Sequence, residues 1–227
     1  MVMSCLGLTV SSTLGTSSNE TTVHMRLDIA MKRATFIAKT NALLQEFSNV
    51  STEVFMKLLN SFATNLYGSN LWYLFGKDCE KLYTSYNVAI RMMLNVDRRT
   101  HRYLKEPLSD ALHLKTLLAS RFTTFHRSLI TSPKLPVRFL ARLYEQDLRT
   151  VHGKNLAEIA QTCSEQIELL TSSKVKDKLR YMSVPENESW RLGLCKELKL
   201  VRDSESSDLI GFSRDEVNAM LKFACAS

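Results

Sequence analysis

The stretch VHMRLDIAMKRATFIAKTNALLQEFSNVSTEVFMKLLNSFATNLYGSNLW, Val23 to Trp72, decides the fold class. Val23, Leu27, Ala30, Ala34, Ile37, Asn41 and Leu44 recur at steps of four and three, a spacing that predicts a helix with these residues along one side. Ala30 and Ala34 are small enough to let a second helix approach closely. Asn41 within that stripe is expected to be a buried amide bonded to a neighbouring helix. Phe47 closes the helix, and Ser51 or Thr52 with Glu53 suits the start of the next. Phe55, Leu58, Leu59, Phe62, Ala63 and Leu66 fit the apolar face of that second helix. Gly68 is expected to break or bend it, since glycine costs about 1 kcal/mol against alanine inside a helix.

Outward from this pair the pattern repeats. Leu6 to Val10 reads as a short strand and Leu14 to Thr22 as a polar loop. Met1 to Val10 is apolar but short, with no basic residue ahead of it, and reads as a buried strand rather than a leader. A third helix is expected from Asp78 to Val96, with Leu82, Tyr86, Ala89, Met93 and Val96 as its stripe. Pro107 opens a fourth helix to Ile130, and Ser132 to Pro136 is a break suited to a subdomain hinge. A fifth helix follows to Thr150, then one from Leu156 to Leu170 after Gly153. Ser172 to Lys178 reads as a polar connection. Two further helices are expected over Ser189–Val201 and after Ser213, whose Ser-Arg-Asp-Glu sequence has capping-box form. The fold class is therefore mostly all-α: a short N-terminal β element and loop (1–22), a helical bundle (23–131) and a second helical subdomain (132–227).

Composition narrows the function classes. The 227 residues are 44% hydrophobic and 23% charged, with only 7 glycines and 4 prolines, which disfavours an all-β fold with many tight turns. No apolar run approaches the roughly 20 residues that span a bilayer. Five scattered cysteines (Cys5, Cys79, Cys163, Cys195, Cys225) show neither zinc-ligand nor redox-pair spacing and fit free thiols in a reducing, intracellular compartment, cytoplasmic or nuclear. The net charge of +7 is concentrated centrally: residues 97–142 carry ten basic side chains against three acidic ones. Such a block suits contact with a polyanion, and equally a solvated helix surface. Arg98, Arg99, Arg102 and Lys105 crowd near a helix end, where they would satisfy its last carbonyls or contact phosphates. Trp72 and Tyr73 lie inside an apolar run and read as core rather than as base-stacking groups.

Motifs for chemistry are absent. The chain has no Asp-Asp pair for two metal ions, no glycine-rich phosphate loop, no His-Glu-x-x-His and no Gly-x-Ser-x-Gly elbow. No cofactor is implied, and no metal: His113 and His126 have no second ligand at suitable spacing.

Several segments, in order, carry a family resemblance. Leu6-Gly7-Leu8-Thr9-Val10-Ser11-Ser12, then Asn41-Ala42-Leu43-Leu44-Gln45-Glu46-Phe47, then Tyr67-Gly68-Ser69-Asn70-Leu71-Trp72 and Tyr86-Asn87-Val88-Ala89-Ile90-Arg91 are the main ones. Thr100-His101-Arg102, Trp190-Arg191 with Glu197-Leu198, and the terminal Phe223-Ala224-Cys225-Ala226-Ser227 follow. Together they resemble the C-terminal, thumb and post-palm part of reverse transcriptase polyproteins of non-LTR (LINE-type) retrotransposons. Tyr86 stands where that pattern has Trp, and the palm with its catalytic aspartates is not among the matching segments. The resemblance implies no polymerase activity in this chain. It implies a surface that holds a template–primer duplex or element RNA through phosphates, with the polymerase palm and fingers as a further partner. The contacts it points to are Lys32, Arg33, Lys39, Arg91, Arg98, Arg99, Arg102 and Lys105. Arg91 also reads as a buried cation paired with a carboxylate. The rival readings are a helical protein–protein interaction module and an inactive gene relic.

Overall fold

The computed structural model describes residues 14–47, 50–94, 96, 109, 112–181, 193 and 219. Among them the chain forms seven α-helices and no strand. These are α1 (Leu14–Glu46), α2 (Thr52–Leu58), α3 (Lys77–Leu94), α4 (Leu114–Ile130), α5 (Leu135–Gln146), α6 (Val151–Cys163) and α7 (Ser172–Tyr181). The mostly helical class expected from the sequence is present; the expected strand at Leu6–Val10 lies outside the described residues.

Local chemistry sets most of the helix ends. The Ser51 hydroxyl accepts from Val54 N–H and opens α2, with Glu53 in its first turn. Thr150 caps α6 by accepting from Gly153 N–H at 3.0 Å. The imidazole Nδ1 of His113 caps α4 at Leu114 by accepting from Lys115 N–H at 3.2 Å; Pro107, expected to open a helix, lies outside the described residues. Gly153 sits inside α6 rather than before it; a Cβ there would lie 2.3 Å from the Asp147 carbonyl oxygen, so the tight approach of the turn requires glycine.

Three expectations are corrected. Helix α1 begins at Leu14, inside the expected polar loop. Ser, Thr and Asn cost at most about 0.7 kcal/mol each in a helix, and extending a formed helix adds one hydrogen bond per residue. Residues 172–178 are not a connection but belong to α7, because Val175 is buried and Leu179 packs against the core. The register of α1 also differs. Its buried residues are Ile29, Phe36, Thr40 and Leu43, with Met25 and Lys32 half-buried. Of the expected stripe, Val23, Leu27, Ala30, Ala34, Ile37 and Asn41 are exposed, Leu27 by 56%, and Leu44 is half-buried against the core. The buried stripe is rotated by roughly 130° at 100° per residue.

The physical reason for that rotation is what α1 meets. Phe36 packs on Tyr86 of α3 with ring centroids 6.0 Å apart. Asp28 accepts a hydrogen bond from the indole Nε1–H of buried Trp72 at 2.8 Å. Met25 Sδ accepts from Tyr73 N–H at 3.3 Å. The ring contact of Phe36 with Tyr86 and the indole donor that must be satisfied favour this side.

One apolar core joins the halves of the chain. It contains Leu59, Trp72, Leu74, Leu82, Tyr83 and Tyr86, continues through Leu114, Leu118 and Phe122 of α4, and includes Leu156, Ile159, Cys163, Leu170 and Val175. Helix α4 is its axis, packed against α3, α5 and, most extensively, α7. The Pro133–Pro136 break is real, with Pro136 in the first turn of α5. The chain on its two sides shares this core. Buried Asn155 of α6 holds the 72–74 segment from both sides: its Oδ1 accepts from Leu74 N–H at 3.0 Å, and its Nδ2–H donates to the Trp72 carbonyl at 2.7 Å.

Candidate nucleic-acid interface

Residues 112–142 contain six basic side chains and no carboxylate. Helix α4 spends its apolar positions on the core: Leu114, Leu118, Ala119 and Phe122 are buried. At 3.6 residues per turn this leaves Arg121, Thr124, Arg127, Ser128 and Thr131 along the outward side, all exposed. The chain then turns at Ser132–Lys134 and enters α5, adding exposed Lys134 and Arg138. No ion pair engages Arg121, Arg127, Lys134 or Arg138 among the described residues. Arg142, by contrast, lies 3.6 Å from buried Glu145. The threonine and serine hydroxyls donate to carbonyls of their own helix, Thr124 to Ser120 and Thr131 to Arg127, so direct anion contact along this side rests on the four cations.

Four of the residues expected as contacts lie on α1 and α3. Arg33 donates from Nε to Ser85 Oγ of α3 at 2.8 Å. Lys39 donates to the Phe62 carbonyl at 3.0 Å and lies 4.7 Å from the centroid of the Phe62 ring. Lys32 is half-buried on the packed side of α1, and Arg91 is half-buried near the end of α3. Arg33, which stays exposed, and Lys39 thus each have a partner within the fold. Arg98, Arg99, Arg102 and Lys105 lie outside the described residues. The signal that points to α4 and α5 is present in the sequence: it is the absence of any Asp or Glu from 31 consecutive residues that carry six cations.

Behind this surface lies a histidine pair. Nδ1 of His126 on α4 and Nε2 of His152 on α6 are 3.0 Å apart, so one nitrogen donates and the other accepts. His126 is buried, and His152 packs against the Phe122 ring at 5.0 Å. Burial, His152 and the Arg142 guanidinium together push His126 down to about 4; burial also lowers His152. Both are neutral at pH 7. Cys79 and Cys163 are buried free thiols, and burial pushes Cys79 up to about 12, which leaves it unreactive at neutral pH. Among the described residues no group of three or more His, Cys, Asp or Glu side chains is placed to hold a metal ion, and no helix is long and apolar enough to cross a membrane.

Helix α5 also leaves large apolar side chains outside. Leu135, Phe139, Leu140, Leu143 and Tyr144 of α5 are exposed, Leu135 by 68% and Phe139 by 66%, while Ala141 and Glu145 face the core. Compared with protein-family models, curated proteins and solved structures, the chain matches none.

Proposed function

We propose that this chain is a non-catalytic nucleic-acid-binding module that contacts RNA or an RNA–DNA duplex through phosphates. That is the role its resemblance to the thumb and post-palm region of a LINE-type reverse transcriptase implies. The observation that carries the reading is the carboxylate-free outward side of α4 and its continuation, with Arg121, Arg127, Lys134 and Arg138 exposed and outside any ion pair among the described residues. Four such cations on one corner match a phosphate backbone in charge and carry no information about base sequence.

Fluorescence anisotropy with a labelled RNA–DNA duplex tests it. If the four cations each neutralise one phosphate, affinity falls about a hundredfold between 50 and 200 mM salt. Removing one cation, as in Arg127→Ala, weakens binding to unrelated sequences equally and lowers the salt slope by about one. Absence of binding at low salt would sink the proposal. Template, primer, nucleotides and magnesium should give no extension.

The exposed apolar row on α5 favours a second reading, a helical protein-interaction module. Exposed Leu135, Phe139 and Leu143, at steps of four along α5, suit an amphipathic partner helix. On that reading Phe139→Glu abolishes partner capture and leaves nucleic-acid affinity unchanged.

A further inference from the structure

Helix α2 does not end in an ordinary way. It passes into a π turn, Leu59–Ala63, in which Thr64 N–H donates to the Leu59 carbonyl at 3.0 Å and the Thr64 hydroxyl donates to the Asn60 carbonyl at 2.8 Å. Gly68 then reverses the chain at φ +85°, a conformation open to glycine, and a 3₁₀ turn follows over Ser69–Leu71. One side of this segment is anchored: Leu66, Ser69 and Trp72 are buried, and the Trp72 indole is bonded to Asp28. The other side is open. Tyr67 is 85% exposed on that anchored turn.

Beside the turn is an open cleft of about 710 Å³ between this segment and α4. Its lining includes Asn60, Asn65, Tyr67, Asn70, Arg121 and Phe125. Arg121 is the one charged side chain in the lining, which contains no carboxylate. Arg121 also belongs to the cationic side of α4, so the cleft opens onto that surface.

We infer that this cleft takes an unpaired nucleotide of a single strand, with its base against the Tyr67 ring and its phosphate at Arg121. A tyrosine exposed on a turn held by buried neighbours is a preformed stacking platform, and stacking on an aromatic ring stabilises a bound base without reading its identity. The three asparagine amides supply both donors and acceptors for a base edge, as needed for an unstacked base. The guanidinium supplies the fork that suits a phosphate, and no lining carboxylate repels one. This inference rests on the nucleic-acid reading above and adds a preference for single strands or strand ends.

The experiment compares the full chain with its Tyr67→Ala and Tyr67→Phe variants. Each is titrated by fluorescence anisotropy against a labelled single-stranded 12-mer and against a blunt duplex. Tyr67 is exposed, so neither substitution removes core packing. Tyr67→Ala is expected to weaken single-strand binding about tenfold while duplex affinity stays within about twofold, and Tyr67→Phe, which keeps the ring, to restore it. Arg121→Gln lowers affinity for both ligands. If Tyr67→Ala leaves single-strand binding unchanged, or weakens both ligands equally, the cleft assignment is overturned while the phosphate-binding role stands. If the unsubstituted chain binds neither ligand, both fall together.

Discussion

Helices α4 and α5 are neighbours along the chain, joined by Ser132–Lys134, and they treat their apolar residues in opposite ways. Helix α4 turns Leu114, Leu118 and Phe122 inward and Arg121 and Arg127 outward, while Lys115 pairs with Glu80 at 3.4 Å. Helix α5 turns Ala141 and Glu145 inward and leaves Leu135, Phe139 and Leu143 in solvent. Both have an amphipathic pattern, yet only α4 is surrounded, by α3, α5 and α7. An apolar stripe is buried where neighbours supply a complementary surface; at the edge of the bundle the same kind of stripe stays outside. The long α1 repeats the lesson, since its exposed stripe is the one most regular in sequence, and its buried stripe is the one that meets Tyr86 and Trp72.

The contrast can be broken by measurement. The largest effect is expected at the axis: Phe122→Ala, at a fully buried ring, should cost about 3–5 kcal/mol in denaturant unfolding. A loss under 1 kcal/mol would show that α4 is not the core. Acid should act on the same helix. His126 is held down to about 4, from 6.5, by burial beside His152 and Arg142, so between these values the unfolded state binds the proton and the folded state does not. Stability contributed by neutral His126 is therefore present above about pH 6.5 and lost as pH falls toward 4, by roughly 2–3 kcal/mol. Replacing His126 with Gln should flatten that part of the pH profile; an unchanged profile would assign the acid sensitivity elsewhere.

Asn155→Ala removes both hydrogen bonds to the 72–74 segment and leaves a buried N–H and a buried carbonyl unpaired, with an expected cost of about 2 kcal/mol. Hydrogen exchange at Leu74 should accelerate with it, and protection retained there would mean that the segment is held by Trp72 alone. At the far end of the scale, Leu143→Ala on α5 should change stability by less than about 0.5 kcal/mol, because the side chain is 54% exposed. A cost comparable to that of Phe122→Ala would mean that the α5 face is covered in solution.

Much of this was legible from residue types alone. Ser51 as a cap, the Pro133–Pro136 interruption and the α3 stripe through Leu82, Tyr86 and Ala89 all depend on chemistry local to a few positions, and the structure reproduces them; the second helix, by contrast, ends at the Leu59–Ala63 π turn, ahead of Gly68. Trp72 is core, as its apolar neighbours indicate. Less was legible for the interface. Basic residues on α1 look available in sequence, but Ser85 and the Phe62 carbonyl, distant along the chain, engage Arg33 and Lys39. The outward direction of Arg121 and Arg127 depends on which side of α4 the core occupies, which the sequence of α4 alone does not specify.

By itself the sequence determined that the chain is helical, where several helices start and stop, and that positive charge is gathered in its centre. Those properties follow from backbone propensity, capping and composition, which act over a few residues. Tertiary structure alone decided which stripe of α1 is buried, that α5 leaves its apolar side outside, and that Tyr67, Arg121 and three asparagines line one cleft. Each of these depends on surfaces brought together from distant parts of the chain, and free energy is gained only where a matching partner surface is present.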